Sequence, residues 1–289
     1  MLQEYWRTYL DRACWLVYPE RSTLLEWQAD RLLDIATDHL SFNNMTFRNK
    51  GYCYCCASTV EFVATSDWWR DDYRCTKCDS IPRERAVMYC IEKFFPQWRN
   101  LSIHESSPVL GRGANRRLTK EAPAYVVSQY YPGVPPGKIV NGIRCENLEH
   151  LSFGNESFDL HITQDVFEHL FDPAAAFCEI ARTLRPGGAH VFTTPLVRKD
   201  QPTRFCASLA PDGTVIHLTE PEYHGNPISL EGSLVTANWG YDITNFVFET
   251  SGLFTEIVFL DILDCGIRAE YIEVLITRKS PRKIAPAAG

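Results

Sequence analysis

Two pairs of cysteines have the spacing that speaks most directly of chemistry. Cys53 and Cys56 form one C-x2-C pair, and Cys75 and Cys78 form a second. Four thiolates in two close pairs satisfy tetrahedral zinc, each pair on a tight knuckle turn. Sulfur fills every position, so the Zn2+ expected here is closed and structural rather than catalytic. Cys55 reads as a bystander thiol. A second group lies in "EPEYHGNP", where Glu222, Tyr223, His224 and Asn226 crowd acid/base and hydrogen-bonding side chains between the turn formers Gly225 and Pro227. Imidazole titrates near neutrality, which makes His224 the first candidate for a general base. Two alternatives stay open: His224 caps a turn, or it shares a metal with Glu222 and the upstream His217. His169, beside Glu168 in "VFEHL", is a further candidate base or a pocket-shaping residue.

Composition narrows what these groups can serve. In 289 residues, 45% are hydrophobic and 22% charged, enough for a sizeable core. A net charge of −7 argues against a large phosphate-binding footprint, so nucleic acid is an unlikely partner and a small molecule is favoured. Arg83 and Arg85, just after the second cysteine pair, read as a solvated face rather than a nucleic-acid contact. No stretch is apolar for long enough to cross a bilayer, and the charged N-terminus does not read as a signal peptide. Eleven cysteines without such a signal point to a reducing cytoplasm and a metal site.

The elements that must position these residues alternate along the chain. Residues 1–50 carry apolar residues at helical spacing and predict a helical cap, suited to homodimer packing. Residues 51–82 hold the cysteines and predict a small zinc ribbon. From residue 83 to 279 apolar strands (101–105, 124–128, 138–143, 158–164, 190–195) alternate with helical stretches such as 173–184, which Pro186, Gly187 and Gly188 would end. This rhythm predicts an α/β, Rossmann-like doubly wound sheet. Residues 196–240 break it with a long insertion, read as a substrate segment. A helix over 241–252, an antiparallel pair at 255–261 and 271–279, and a mobile tail from 280 complete the expectation.

"LEHLSFGNESFDLHITQDVFEHLFDPAAAFCEIARTLRPGGAHVFTTP" resembles the class I S-adenosylmethionine-dependent methyltransferases, specifically the methyltransferase type 11 group. The resemblance implies a seven-stranded sheet, S-adenosyl-L-methionine as cofactor, and direct displacement at its sulfonium methyl. It implies small molecules, natural-product precursors or glycans as acceptors, with RNA or protein methylation, or a non-catalytic scaffold, as alternatives. It also implies a cofactor site at the carboxyl ends of the strands. Glu105 fills the family's acidic position there, while Ser106 and Ser107 stand where the family places glycines, and Pro108 biases Ser107 toward extended backbone. Gln129, followed by Tyr130, replaces the usual acidic partner of the ribose. Asn147, in preference to Glu146, meets the adenine, with Leu148 beside the ring. Gln164 and Asp165 face the methionine end.

Overall fold

The computed structural model describes residues 46–225 and 231–282. Most of the expected helical cap, most of the tail, and Asn226 and Pro227 lie outside the described residues.

The described chain opens with a three-stranded antiparallel sheet: β1 (Phe47–Cys53), β2 (Ser58–Ala64) and β3 (Arg74–Cys75). β1 begins before the expected boundary at residue 51. A single turn of helix, α1 (Trp69–Asp72), separates β2 from β3. Next comes α2 (Pro82–Phe94), started by Pro82 and by Glu84, whose Oε2 accepts the Ile81 N–H at 3.0 Å.

The main sheet follows. Its elements are β4 (Ile103–Ser106), α3 (Gly113–Glu121), β5 (Tyr125–Gln129), β6 (Ile139–Val140), β7 (Ile143–Cys145), β8 (Phe158–Gln164), α4 (Pro173–Thr183) and β9 (Leu184–Thr193). Short strands fill the insertion: β10 (Arg204–Phe205), β11 (Ala207–Leu209), β12 (Val215–His217), β13 (Tyr223–His224), β14 (Ser233–Leu234) and β15 (Ala237–Asn238). Helix α5 (Ile243–Ser251), closed by Gly252 in the left-handed region, leads to β16 (Phe254–Val258) and β17 (Val274–Arg278).

The strand order is β16-β17-β9-β8-β4-β5-β7-β6. The strands β9, β8, β4, β5 and β7 run parallel, and β17 inserts antiparallel between β9 and β16. The expected doubly wound, Rossmann-like sheet is present, with an eighth strand at its edge. That strand arises because 138–143 is not one strand. Asn141 and Gly142 both have positive φ (50° and 81°) and fold it into the β6–β7 hairpin. Asn-Gly is a strong signal for such a turn. Nor does the Pro186–Gly188 stretch lie beyond α4 as a terminator. It sits inside β9, where a bulge opposite Phe158 and Leu160 absorbs it, the Gly187 N–H donates to the Lys279 carbonyl and the Gly188 carbonyl accepts the Lys279 N–H.

Alternating residues feed a core on each face of the sheet. Ile103, Leu160, Ile162, Val191, Val274 and Ile276 pack toward α2 and the cysteine module, while Phe192 and Leu275 pack with α4 and α5. The cysteine module therefore shares the sheet's core instead of standing apart. Arg85, 0% exposed, locks the two together. Its guanidinium donates to the carbonyls of Gly266 (2.6 Å) and Tyr73 (2.7 Å) and lies over the Phe62 ring. Arg83 pairs instead with the carboxylates of Asp71 and Asp165. The solvated face expected for both residues is not formed, because each guanidinium is engaged by the fold.

Candidate active site and cysteine centre

The chain leaves β4 toward β5 and β7 on one side and returns to β8 on the other. Ligands in such sheets bind outside the carboxyl ends of the strands at this switch point. Ser106 and Ser107 end β4, Gln129 ends β5, and Gln164 and Asp165 end β8, so the sheet brings these expected residues to one rim. Ser107 is held in the left-handed region (φ 57°), not extended as Pro108 suggested. Its N–H is bonded to Ser128 O at 2.8 Å, and its hydroxyl accepts from Gln129 Nε2 at 3.3 Å. A serine thus takes the backbone shape that favours glycine. Gly113, six residues later, opens α3 where a Cβ would lie 2.5 Å from the Glu84 carboxyl carbon.

Glu105 is 0% exposed. It accepts from the Tyr125 hydroxyl and from Gln164 Nε2 (2.8 Å). Burial pushes its carboxyl up to about 7, against the pull of these two donors. Among the described residues, buried Gln164 Oε1 has no hydrogen-bond partner, an unmet acceptor at the switch point. Tyr130 is exposed, and Leu148 is buried in the core beside Leu151. Asn147 Oδ1 accepts the Glu149 N–H at 3.0 Å, tying its own turn. The neighbouring Glu146 is consumed by Arg144 at 2.6 Å and by Ser152.

Asp165 is met by two arginines that the sequence gave no reason to place there. Arg70, from α1, reaches Asp165 Oδ2 at 2.6 Å, and Arg83, from α2, reaches it at 3.0 Å. Burial alone would raise its carboxyl, but the two guanidinium charges hold it at about 2. The cysteine module therefore extends to the rim.

Beyond Asp165 the chain makes a short 3-10 turn, Phe167–His169. Glu168 is 2% exposed, and burial and the Asp165 charge push its carboxyl up to about 8. The insertion folds over this turn. His169 Nδ1 lies 2.8 Å from Leu234 O, and Thr236 N donates to Glu168 O at 2.7 Å. His224 comes within reach, its ring centroid 5.4 Å from that of His169. Its Nε2 is 3.3 Å from Glu222 Oε1, on the exposed side, and Tyr223 is exposed. The structure thus joins two candidate histidines from distant segments and leaves His217 on an exposed strand. Glu168 is the member that sequence reasoning passed over. Its position beside His169 was the available signal.

The four cysteines form the second centre. Cys53 and Cys78 Sγ atoms are 3.7 Å apart, and those of Cys56 and Cys75 are 3.9 Å apart. All four sulfurs lie within 4.8 Å of one another. Zinc–sulfur bonds of about 2.3 Å in a tetrahedron place sulfurs about 3.8 Å apart, so the donor set fits that ion. Cys55 is outside the set, and its burial pushes the thiol well above the ordinary range.

Residues 122–192 match the family model described as a methyltransferase domain. The matched stretch lies within the Rossmann-like sheet described above. The match runs from the entry to β5 to the end of β9, and omits β4 and the serine loop. No curated protein is matched by the sequence. Among solved structures, an S-adenosylmethionine-dependent methyltransferase from Mesorhizobium loti is similar at 17% identity, covering 67% of this chain and 98% of that one, with TM-score 0.42. The 1,6-didemethyltoxoflavin-N1-methyltransferase of Burkholderia thailandensis, solved with its substrate and S-adenosylhomocysteine, is similar at 13% identity (68% and 78% covered, TM-score 0.43). A Haloferax volcanii complex of the Trm112 activator with a putative methyltransferase gives 14% identity (71% and 100% covered, TM-score 0.40).

Proposed function

We propose that this protein is a methyltransferase that binds S-adenosyl-L-methionine at the rim of β4, β5 and β8 and methylates a small molecule, with one structural Zn2+ held by Cys53, Cys56, Cys75 and Cys78. The observation that carries the cofactor reading is the convergence at the switch point of Ser106, Ser107, Gln129 and the unpartnered Gln164 Oε1. A ligand with an amino acid at one end and a ribose at the other can use each of these groups. Ser106 and Ser107 offer hydroxyls to a carboxylate, and Gln129 offers an amide to ribose hydroxyls. Gln164 offers its free oxygen to an ammonium. Glu105 stays behind them, holding Gln164 and Tyr125 in place. When bound, the cofactor supplies an electrophilic methyl and its own leaving group.

The protein's remaining tasks are to align the acceptor, exclude water and, for a hydroxyl or amine, take a proton. His224 is placed for the proton, at the mouth formed by the insertion. Tyr223 and Glu222 flank it, and His169 lies behind it. The net charge of −7 favours a small acceptor over nucleic acid.

The deciding experiment is a calorimetric titration of the purified protein with S-adenosylmethionine and S-adenosylhomocysteine. One site per chain is expected, with affinity reduced at least tenfold by Gln129→Ala, whose side chain is only partly buried. Absence of binding to folded protein would leave a scaffold that keeps the sheet without its cofactor. Elemental analysis of unchelated protein should return one zinc per chain from the cysteine centre.

A further inference from the structure

We propose that Glu168, His169 and His224 form a second metal site, a divalent transition-metal centre of two imidazoles and one carboxylate, with open positions that take oxygen atoms of the methyl acceptor. The inference concerns the acceptor end of the active site and rests on the methyltransferase reading only for that last role; with a metal bound, His224 serves as a ligand and not as the base.

Several observations converge on it. The ligand atoms of the three residues lie within 4.8 Å of one another. Glu168 is buried, yet among the described residues only one of its oxygens is satisfied: Thr194 Oγ1 donates to Oε2 at 3.0 Å, while Oε1 has no hydrogen-bond partner. That free oxygen faces His169 Nε2 at 3.9 Å. A buried carboxylate oxygen left without a donor carries a cost, and a bound cation removes it.

The tautomer of His169 fits as well. Its Nδ1 can only donate to the Leu234 carbonyl, at 2.8 Å, which leaves the Nε2 lone pair facing Glu168 and His224. Metal-bound imidazoles characteristically use their second nitrogen this way. The same insertion hairpin delivers the third ligand, since β13 pairs with β14, setting His224 opposite Ser233 and Tyr223 opposite Leu234. One hairpin thus both aims His169 and supplies His224. Thr236 fixes the turn from below by bonding the Glu168 and Leu170 carbonyls. Outside the cluster, Glu222 lies against His224 Nε2 as an outer carboxylate.

A cation about 2.1 Å from each ligand would draw the three atoms to about 3.4 Å apart, a small contraction from the geometry described. Mixed imidazole and carboxylate donors suit Zn2+, Co2+, Fe2+ or Mn2+ better than Ca2+ or Mg2+. Three protein ligands leave coordination positions open, as catalytic rather than structural sites do. His224 is the half-exposed member, so those positions open toward the mouth. An acceptor with a hydroxyl or carboxylate oxygen would be oriented there, and a bound hydroxyl would be made more acidic.

Co2+ is the probe. Protein whose cysteine centre is kept loaded with zinc is titrated with Co2+, followed by absorption and calorimetry. The expected result is one Co2+ per chain, with a ligand-field band and no sulfur-to-cobalt charge-transfer absorption, since exchange into the cysteines would produce the latter. His224→Ala, a change at a half-exposed position, and Glu168→Gln, which keeps the Thr194 bond, should each weaken Co2+ binding at least tenfold. Zinc content should stay at one per chain in both. Binding of S-adenosylhomocysteine should be unchanged in both, which separates this inference from the cofactor reading. Failure of Co2+ to bind beyond the cysteine centre, or equal affinity in wild type and in folded His224→Ala, would overturn the site.

Discussion

The cysteine centre and the rim beyond β8 both gather metal-type ligands, and they are built in opposite ways. At the cysteine centre two short knuckles each carry two ligands. Its sulfurs already stand at tetrahedral separations, 3.7 and 3.9 Å across the two pairs. At the rim, Glu168 and His169 come from a turn after β8, and His224 from an insertion that returns to it only after β9. That meeting depends on backbone bonds from Leu234 and Thr236. A closed centre made of local chain is suited to hold a fold together. An open centre assembled from distant chain is suited to meet a ligand. The two are linked by ion pairs, since Arg70 of the cysteine module and Arg83 of α2 both reach Asp165 at the rim.

If that contrast is right, the largest loss comes from the cysteine centre. Cys78→Ser, or chelation of the zinc, should cost more than about 5 kcal/mol of folding stability, because metal binding in such modules is folding energy. The shared core would carry the damage into the sheet, since the Gly266 carbonyl that Arg85 holds lies next to the module. Circular dichroism and urea denaturation of the variant check this. A Cys78→Ser protein that denatures at the wild-type urea midpoint would show that the module folds without its metal.

The next effect is at the connection. Asp165→Asn leaves Arg70 and Arg83 facing one another without their shared carboxylate. Removing one partner of a buried ion pair costs about 3 kcal/mol. Arg83 keeps Asp71 at 2.6 Å, which limits the damage. Adding Arg70→Met to Asp165→Asn should recover part of the loss, and a double-mutant cycle in urea reads the coupling. Additive losses would mean that the module and the rim are merely adjacent.

Glu105 gives a smaller, pH-dependent effect. Its carboxyl is raised to about 7 in the fold, whereas an unfolded glutamate titrates near 4.3. The folded state therefore holds a proton that the unfolded chain has released. That contribution is complete below about pH 4.3 and is lost as pH rises through about 7. Glu105→Gln cannot lose it. Relative to wild type, the variant should gain on the order of 2 kcal/mol between pH 5 and pH 8. Urea midpoints of the two proteins at both pH values test this, and a pH-independent difference would show that Glu105 is ionised throughout.

These predictions follow the boundary of what sequence could disclose. The cysteine pairs were legible because their ligands are local and their chemistry fixes their spacing. The strand at 158–164 was legible because Phe158, Leu160 and Ile162 alternate with polar residues. The hairpin at Asn141–Gly142 had a turn signal within a stretch that otherwise read as one strand. The left-handed Ser107 ran against its local signal, since Pro108 argues for extended backbone and a cross-strand bond to Ser128 overrides it. Arg70, Arg83 and Glu168 were not legible as site residues. Arg70 and Arg83 act through Asp165, far away in sequence, and Glu168, although it adjoins His169, takes its burial and its other partners from distant chain; a single chain of letters carries no distances. The buried row His104, His161 and His190, one on each of three neighbouring strands, shows the same limit. His104 and His161 bond each other at 2.9 Å, and burial holds all three well below the ordinary imidazole range. Type alone does not separate those neutral core histidines from His169 and His224 at the rim.

The smallest expected effect is the stability change in His224→Ala. The side chain is 40% exposed, and the one hydrogen bond it makes among the described residues is a long contact, 3.3 Å, to the exposed Glu222. Surface substitutions of this kind stay within about 0.5 kcal/mol. The hairpin that carries it is held by backbone pairing with β14, which alanine keeps. In metal-free buffer, urea denaturation of His224→Ala should therefore superimpose on wild type. With Co2+ present, the wild type alone should gain stability, because a ligand that binds only the folded state raises stability by mass action. A loss of about 2 kcal/mol without metal would make the rim a structural element like the cysteine centre, and the contrast between the two would disappear.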